Sequence, residues 1–296
     1  MRSHHTIGTG NVNPSAASTV EALLRAGVRL LEGSSPSPRL DAELLLSRAL
    51  GWDRARLFMN RDQPVPAEVA AGFIRDIAAR RTGRPLAHIT GRREFWSLDL
   101  AVTADVLVPR PETELLVERA LLRLPASQPA RVLDLGTGSG AIALAIASER
   151  PQATVFATDR SAAALAVARA NADASGLHQV RFAAGDWFGA VGDGRFEVIV
   201  SNPPYIADAE WAGVDAELAF EPRSALAAGP DGLDALRVIA AAAPAHLAPG
   251  GWLLLEHGAG QGPALRGLLG AAGLRQVTTA ADLAGLPRVT EGQWPG

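Results

Sequence analysis

From Arg131 to the end of the chain, short apolar runs with the character of buried strands alternate with longer segments of helical periodicity. Neighbouring parallel strands need a crossover helix between them, so this alternation predicts a mostly parallel sheet covered by helices on both faces. The predicted fold class is therefore α/β with a doubly wound sheet. Because ligands of such sheets bind beyond the carboxyl ends of the strands, the residues that directly follow each strand are the candidates for chemistry.

The elements of this region are predicted from short apolar runs and from apolar residues spaced three and four apart. The predicted strands are Val132–Leu135, Thr154–Thr158, Val180–Ala183, Phe196–Val200, Trp252–Glu256 and Leu274–Thr279. The predicted helices are Gly140–Glu149, Ser161–Ala174, Gly232–His246 and Gly262–Ala272.

The first third of the chain has a different pattern, in which apolar residues recur at helical spacing and no catalytic motif is present. The predicted helices are a segment from Thr19 that ends at Gly33–Pro36, then Arg39–Leu50, Arg54–Met59 and Pro66–Arg81. Glu94–Val102 alternates like a β-hairpin, and a helix opens near Pro111. These patterns predict a flexible N-terminus at 1–15, a helical domain at 16–83, a β-hairpin linker at 84–110 and an α/β domain at 111–296.

A glycine-rich run, Asp134–Gly140, follows the first strand of the sheet. Its glycines let the backbone turn tightly and let a ligand approach the N-terminus of the next helix. Gly136, Gly138 and Ala141 also satisfy the dinucleotide-binding fingerprint, which alone is a weak signal. Asp134 favours S-adenosylmethionine instead, because an acid there can hold the ammonium group of that ligand and would repel a pyrophosphate. A turn that binds nothing is the remaining interpretation.

Acidic residues follow the next two strands. At Asp159 a carboxylate can accept both hydroxyls of an adenosine ribose, whether the ligand is NAD or S-adenosylmethionine. The alternative role of Asp159 is to cap the helix Ser161–Ala174. After the third strand, Asp186 is suited to the amino edge of adenine and Trp187 to its face, although this pattern fits core packing equally well.

The fourth strand ends in Asn202–Tyr205, an amide followed by two prolines and the only tyrosine of the chain. Prolines cannot donate to a sheet and they fix φ, so the strand must stop here and the turn is stiff. In isolation, Asn-Pro-Pro is usually only a turn. As the fourth in a series of strand ends, it presents a side-chain amide, a backbone carbonyl and a phenol ring at the mouth of the sheet.

These groups suit chemistry on a planar NH2 group, which is a poor nucleophile because its lone pair is delocalised. If its two N–H groups donate to the Asn202 side-chain oxygen and the Pro203 carbonyl, the nitrogen gains electron density. Its lone pair can then be aimed at a sulfonium methyl group, while Tyr205 stacks on the flat group and fixes its plane. Catalysis of this kind consists of positioning and electrostatics, and we expect no metal.

Composition removes several other classes of function. The chain has no cysteine, and all 28 basic residues are arginine, which excludes thiolate nucleophiles, Schiff-base lysines and Walker-type phosphate loops. The net charge of −3 does not indicate a strongly basic nucleic-acid-binding face. There is no apolar run of about 18 residues and no signal-peptide pattern, so we expect a cytoplasmic protein without a membrane partner.

The conjunction of the four strand ends resembles the class I S-adenosylmethionine-dependent methyltransferases, and within them those that methylate planar NH2 groups. The chain is similar, over about nine tenths of its length, to the release-factor glutamine methyltransferases of the HemK/PrmC family. The segments that carry this similarity are Arg84–Gly91, Glu94–Trp96, Leu107–Glu114, Glu221–Leu226 and Gly229–Leu233. Asp282–Val289 is compatible with the last strands of that family, whereas His257 stands where the family often has an apolar residue.

The resemblance implies a class I methyltransferase domain, preceded by a helical substrate-recognition domain and a hairpin linker. It implies S-adenosyl-L-methionine as cofactor and peptide chain release factors as partners, methylated at N5 of the glutamine in their Gly-Gly-Gln loop. Together with the residue patterns, it assigns to the cofactor Asp134, Gly136, Thr137, Gly138, Ser139, Gly140, Asp159, Asp186, Trp187 and Asn202. The residues assigned to the substrate are Asn202, Pro203, Pro204 and Tyr205, of which Asn202, Pro203 and Tyr205 are the catalytic candidates.

Other functions remain open at the level of sequence. One relative methylates a glutamine of a large-subunit ribosomal protein, and adenine-N6 nucleic-acid methyltransferases share the Asn-Pro-Pro-Tyr signature. Arg84–Gly91 and Glu94–Trp96 speak against the first, and the acidic net charge speaks against a nucleic-acid substrate. An NAD-binding oxidoreductase would leave Asn202–Tyr205 without a purpose, and a binding protein without activity would be expected to have lost the glycines or Asn202.

Overall fold

The computed structural model describes residues 18–296, so the segment 1–15 that is predicted to be flexible lies outside the described residues. The chain divides into two compact units, which meet in sequence at Thr90 and Gly91. Within the described part of the chain, no helix is long and apolar enough to cross a membrane.

In the described part of the first unit, residues 18–90, the elements are helices. Its helices are α1 (Val20–Leu31), α2 (Pro38–Leu50), α3 (Arg54–Met59), α4 (Ala67–Arg81) and α5 (Leu86–Thr90). Their apolar faces enclose one core, in which Phe73 and Ile77 are fully buried. The sequence patterns did not predict α5, because Gly83 and Pro85 are typical of a linker. Pro85 instead stands directly before the helix, where its missing N–H leaves no hydrogen bond unmade.

The second unit begins with a β-hairpin and continues as an α/β domain. The hairpin strands are β1 (Arg92–Phe95) and β2 (Leu98–Ala101), joined by Trp96 and Ser97 with φ of 52° and 60°. The helices that follow are α6 (Glu114–Arg123), α7 (Ala141–Glu149), α8 (Ala162–Ala174), α9 (Asp234–His246) and α10 (Gly262–Ala271). The strands are β3 (Arg131–Leu135), β4 (Thr154–Asp159), β5 (Arg181–Ala184), β6 (Phe196–Ser201), β7 (Leu247–Glu256), β8 (Arg275–Ala281) and β9 (Pro287–Gln293).

The seven strands β3–β9 form one sheet with the order β5-β4-β3-β6-β7-β9-β8. The pairs from β5 through β7 are parallel, and only β9 runs against its neighbours β7 and β8. The chain leaves β3 toward one edge of the sheet and returns to its other side with β6, so the strand order reverses between these two strands. Such a reversal opens a crevice at the carboxyl ends, which is where ligands of doubly wound sheets bind.

Side chains of the central strands alternate between two apolar layers, one on each face of the sheet. On β3, Val132 joins the layer that contains α6 and α7, while Leu133 joins the layer that contains α9 and α10. This alternation follows from the two-residue period of a strand, and it explains why the strands are continuous apolar runs in the sequence. The predicted α/β, doubly wound and mostly parallel fold is confirmed.

The C-terminal part of the sheet differs most from the predicted elements. β7 begins at Leu247 instead of Trp252, because the segment before Trp252 already pairs with Phe196 across a register shift. This irregular part contains Pro249, Gly250 and Gly251. They interrupt the apolar pattern, so the sequence does not indicate that the strand has already begun. β9 is an antiparallel strand whose bounds the apolar pattern did not define.

Candidate active site

The crevice at the reversal point is a cavity of about 530 Å³ within the second unit. Its walls come from the segments that follow β3, β4, β5 and β6, and from the chain between the hairpin and α6. The predicted site residues that line it are Gly136, Thr137, Gly138, Ser139, Asp159, Asp186, Trp187, Asn202, Pro203 and Pro204. Residues predicted from four separate strand ends therefore lie around one cavity.

The glycine loop after β3 adopts a backbone conformation that requires glycine at three positions. Gly136, Gly138 and Gly140 have φ of 71°, 56° and 86°, in the left-handed region that other residues rarely adopt. Gly140 does not line the cavity. It begins α7, and a Cβ there would lie 3.2 Å from the side chains of Ala168 and Leu144. Its role in the structure is to let α7 pack closely against α8.

The backbone N–H groups of this loop are largely satisfied inside the protein. Those of Gly136 and Thr137 both donate to the Thr158 carbonyl at 2.9 Å, and that of Gly140 donates to the Thr137 carbonyl at 2.8 Å. The N–H of Gly138 donates to Asp159 Oδ2 at 3.0 Å. A pyrophosphate needs such N–H groups for itself, so their internal use disfavours a dinucleotide ligand.

Asp134 lies beneath the loop and is completely buried at the end of β3. Its Oδ2 accepts the Thr137 hydroxyl at 2.6 Å, while Oδ1 has no hydrogen-bond partner among the described residues. Burial raises the pKa of Asp134 to about 7, the Thr137 hydroxyl opposes this rise, and the nearby Asp159 carboxylate adds to it. Asp134 does not itself line the cavity, whereas Asp159 does, and the negative charge of the two acids suits a ligand that carries positive charge.

Asp159 fastens the loop and the helix that follows it. Besides accepting the Gly138 N–H, its carboxylate accepts the Ser161 N–H through Oδ1 at 2.8 Å. The cap of α8 itself is Ser161, whose hydroxyl accepts the Ala164 N–H at 3.2 Å. Asp159 therefore does not replace Ser161 as the cap, and its carboxylate remains on the cavity wall.

Asp186 and Trp187 follow β5 and line the cavity. Trp187 has φ of 47°, an unusual value for a bulky residue, and its ring is half-buried on the cavity wall. A Cβ at Gly136 would lie 3.8 Å from this ring, which shows how near the indole comes to the glycine loop. Strained backbone beside a cavity is characteristic of a residue held for binding, and not only for packing.

The Asn-Pro-Pro-Tyr turn follows β6 and stands next to the glycine loop, because Ser201 pairs with Leu135 across β6 and β3. The Ser201 hydroxyl donates to the Leu135 carbonyl at 2.7 Å and ties the two strand ends together. Asn202 donates from Nδ2 to the Thr113 hydroxyl oxygen at 3.2 Å. Asn202 and Pro203 line the first cavity and also a second one of about 280 Å³.

Tyr205 lies in the second cavity and not in the first. Its ring is half-buried, and burial, helped by the negative charge of Glu256, raises the pKa of the phenol to about 12. The backbone of Tyr205 is fixed by Gln261, whose Nε2 donates to the Tyr205 carbonyl at 3.0 Å. Gly232 is required beside it, since a Cβ there would lie 2.4 Å from the same carbonyl oxygen.

The structure adds residues to the site that the sequence patterns did not select. Asn171 is buried and joins the Ser139 carbonyl to the hairpin strand β2 at Ala101. Glu221 accepts the Val108 N–H at 3.0 Å and forms an ion pair with Arg110, which lines both cavities. Burial raises the pKa of Glu221, and the Arg110 charge opposes that rise.

The sequence draws attention to only some of these additional residues. Glu221 and Arg110 stand in segments that resemble the family, but the sequence gives neither of them a role of its own. Asn171 stands inside a regular helix, and nothing in the sequence indicates that its side chain leaves that helix to hold a loop. The roles of all residues in the predicted site remain predictions that the geometry supports.

Comparisons with known proteins show which family the chain belongs to. Family models match residues 21–91 as a PrmC N-terminal domain and residues 111–230 as a methyltransferase small domain. A release factor glutamine methyltransferase from Xylella fastidiosa is 54% identical over 93% of this chain and 98% of its own length. One from Burkholderia pseudomallei is 50% identical over 96% of this chain and 98% of its own length.

A methyltransferase of known structure from Pyrococcus furiosus shares the fold, with a TM-score of 0.52 and 21% identity over 74% of this chain and 99% of that chain. The sheet, the glycine loop and the Asn-Pro-Pro-Tyr turn define a class I S-adenosylmethionine-dependent methyltransferase. Within that class, the identity over nearly the whole chain and the match of the N-terminal model are specific. The chain belongs to the release factor glutamine methyltransferase family.

Proposed function

We propose that this enzyme transfers a methyl group from S-adenosyl-L-methionine to N5 of the glutamine in the Gly-Gly-Gln loop of peptide chain release factors. The observation that carries the proposal is the position of Asn202 and Pro203 on a wall shared by two cavities. One cavity is lined by the glycine loop, Asp159 and Trp187 and suits the methyl donor. The other is lined by Tyr205, by apolar side chains and by the charged residues Arg110, Asp215 and Glu217, and it suits the methyl acceptor.

Asn202 and Pro203 supply the acceptors that an amide nitrogen requires. Because Asn202 donates from Nδ2 to Thr113, its Oδ1 is the atom left to accept an N–H of the substrate amide. The Pro203 carbonyl is the second acceptor, and the rigid Pro-Pro turn keeps it in place. Hydrogen bonds from both N–H groups increase electron density on nitrogen and direct its lone pair across the shared wall.

The remaining residues of the second cavity orient the flat amide. Tyr205 lies there with a ring that can stack on the amide, and the raised pKa of its phenol keeps the ring neutral at working pH. No strong base is required at the start, since the amide proton becomes acidic only after the methyl group has been transferred. Orientation of two reactants can lower a barrier by about 7–11 kcal/mol, so positioning accounts for most of the catalysis.

S-adenosylmethionine, when bound, supplies an electrophilic methyl group on a positively charged sulfur. The residues that would hold it are those of the glycine loop with Asp159, Asp186 and Trp187 on the cavity wall. Asp134 acts from beneath the loop, through its charge and through the Thr137 hydroxyl. Asp159 would accept the ribose hydroxyls, and Trp187 would stack on the face of adenine.

The test is methyl transfer from tritiated cofactor to purified release factor, beside a release factor whose Gly-Gly-Gln is changed to Gly-Gly-Ala. We expect labelling of the first protein and none of the second. Ribosomal proteins and DNA serve as the alternative acceptors in the same assay. Labelling of either alternative at a rate equal to that of release factor would contradict the proposed substrate.

The helical unit is proposed to recognise the body of the release factor, since it contains a core of its own and no catalytic pattern. Removing residues 1–90 should raise the KM for whole release factor by about tenfold or more. A short peptide that contains Gly-Gly-Gln is the matched substrate, and its methylation should change less than threefold. An equal loss with both substrates would contradict the role in recognition.

The cellular setting is part of the same proposal. Release factors act on ribosomes, so the reaction is proposed to take place in the cytoplasm and without a nucleic-acid substrate. The net charge of −3 supports the second statement, because neutralising a phosphate backbone requires a basic surface.

A further inference from the structure

We infer that Thr113 is a positioning residue that sets the orientation of the Asn202 amide. Glu256 supports it by accepting the proton of the Thr113 hydroxyl. This inference rests on the proposed reaction and concerns the same site. It assigns a role to the segment between the hairpin and α6, which was selected by family resemblance alone.

The first step is the hydrogen bond between the two side chains. A side-chain amide can rotate by half a turn and exchange its oxygen and nitrogen with little change in shape. Only one of the two orientations presents Oδ1 of Asn202 to an N–H of the substrate. Donation from Nδ2 to the Thr113 oxygen at 3.2 Å selects that orientation.

The second step is the rigidity of Thr113 itself. It ends the 3₁₀ turn Pro111–Thr113, its N–H donates to the Arg110 carbonyl at 3.1 Å, and it is 4% exposed. Thr113 also lines the first cavity beside Asn202. A buried hydroxyl oxygen held in this way keeps its place beside the Asn202 amide, and the direction of its own proton then decides which orientation of the amide is favoured.

The third step is the fate of the Thr113 proton. A hydroxyl that accepts from Asn202 must donate its own proton elsewhere to keep its lone pair directed at the amide. Glu256, at the end of β7, is 2% exposed and interacts with both Thr113 and Asn202. Its Oε2 has no hydrogen-bond partner among the described residues, so the carboxyl keeps one oxygen free to accept the Thr113 proton.

The fourth step is the cost of burying the Glu256 carboxyl. Burying a carboxyl is costly, and burial raises the pKa of Glu256 to about 7, against the lowering effect of Thr113, Arg288 and Asn202. Glu112 raises it further. An apolar residue would pack in the same place without this cost, whereas the carboxyl interacts with Thr113, Arg288 and Asn202.

The experiment compares Thr113→Val, which keeps the shape and removes the hydroxyl, with Thr113→Ser, which keeps the hydroxyl. For release-factor methylation, we expect Thr113→Val to lower kcat about ten- to hundredfold with KM and cofactor affinity within threefold of wild type. Thr113→Ser should recover most of kcat. Glu256→Gln should lower kcat by a smaller factor, since the amide oxygen can still accept.

Thr290→Val is the matched control, because Thr290 is also a buried threonine whose hydroxyl is hydrogen-bonded, to His257 and Thr279. It should lower the melting temperature without lowering kcat. The inference is overturned if Thr113→Val retains wild-type kcat, or if Thr113→Ser is as slow as Thr113→Val. It is also overturned if Thr113→Val acts through KM or melting temperature alone. A wild-type enzyme that does not methylate release factor would instead contradict the proposed function.

Discussion

The glycine loop and the Asn-Pro-Pro-Tyr turn follow neighbouring strands, yet they are built in opposite ways. The loop after β3 depends on residues with the freest backbone, and its own N–H groups bond to Thr158 and Asp159. The turn after β6 depends on residues with the most restricted backbone, and its Asn202 and Pro203 line both cavities.

The difference follows from what each segment has to hold. A cofactor that lies against the sheet needs space, which glycine provides by having no side chain, and a cavity with the right charge. A reacting amide needs two acceptors at fixed positions, which a stiff turn provides. The loop should therefore control cofactor binding and stability, whereas the turn should control the rate of the chemical step.

Asn202→Ala should produce the largest effect. Loss of the side-chain acceptor should lower kcat about 1,000-fold or more, in the range found when one preorganised catalytic contact is removed. Cofactor affinity, measured by calorimetry, should change less than about threefold. The matched variant is Asn171→Ala, which should weaken cofactor binding through the Ser139 carbonyl and leave kcat at saturating cofactor nearly unchanged. The comparison fails if the two variants show the same pattern.

Asp134→Asn should weaken cofactor binding about tenfold at pH 8, because a carboxylate attracts a cationic ligand and an amide does not. With its pKa raised to about 7, Asp134 of the free enzyme is mostly protonated at pH 6 and ionised at pH 8. Wild-type affinity should therefore increase with pH through about 7 and then level off, and the variant should lose this dependence.

Asp134→Asn should increase the stability of the cofactor-free protein at pH 8, although it weakens cofactor binding. A carboxyl whose pKa is raised by folding binds its proton more tightly in the folded state, so apo stability falls as pH rises toward about 7. At pH 8 the wild-type protein carries this cost in full, and Asp134→Asn should melt a few degrees higher. The gain should shrink at pH 5. A lower melting temperature at pH 8 would show that Asp134 stabilises the loop.

Gly140→Ala and Gly176→Ala should give the smallest effects, which are losses in the free energy of unfolding. Comparing them separates the strain of a positive φ from the crowding of a new Cβ against its neighbours. Both glycines have positive φ, 86° and 68°, but a Cβ at Gly176 would meet nothing within 4 Å. We expect urea denaturation to show a loss of about 1 kcal/mol for Gly176→Ala. Gly140→Ala should lose about 2–3 kcal/mol, since its Cβ also crowds Ala168 and Leu144. Equal losses would mean that close packing of α7 on α8 is not why glycine stands at 140.

Much of this fold could be predicted from the sequence because parallel strands are buried on both faces. Such strands are mostly apolar, as in Phe196–Ser201, where Glu197 is the one exposed residue, and they are visible without an alignment. Prediction was weakest where pairing, and not composition, makes the strand, as in β9 and the first half of β7. The short helix α5 was not predicted, because Gly83 and Pro85 stand before it. Glycine and proline occur together at the start of a helix as well as in a linker, so they do not distinguish the two.

The candidate site also has residues that the local sequence predicts and residues that only the folded chain reveals. Residues at strand ends were found because the fold class says where to look, and most of the predicted set lines one cavity. Asn171, Glu221 and Thr113 were not found as functional residues, because their roles depend on partners far away in sequence. Asn171 meets Ala101, and Glu221 meets Val108, across separations that no local pattern encodes.

The sequence by itself determined the type of sheet, the order of functional strand ends and the chemistry of Asn202–Tyr205, because these depend on local backbone preference and side-chain type. The tertiary structure decided which atoms face one another. It placed Asn202 and Pro203 on a wall between two cavities, directed Nδ2 of Asn202 to Thr113 and buried Asp134 beneath the loop. Orientation and burial are properties of packed neighbours, and only folding brings those neighbours together.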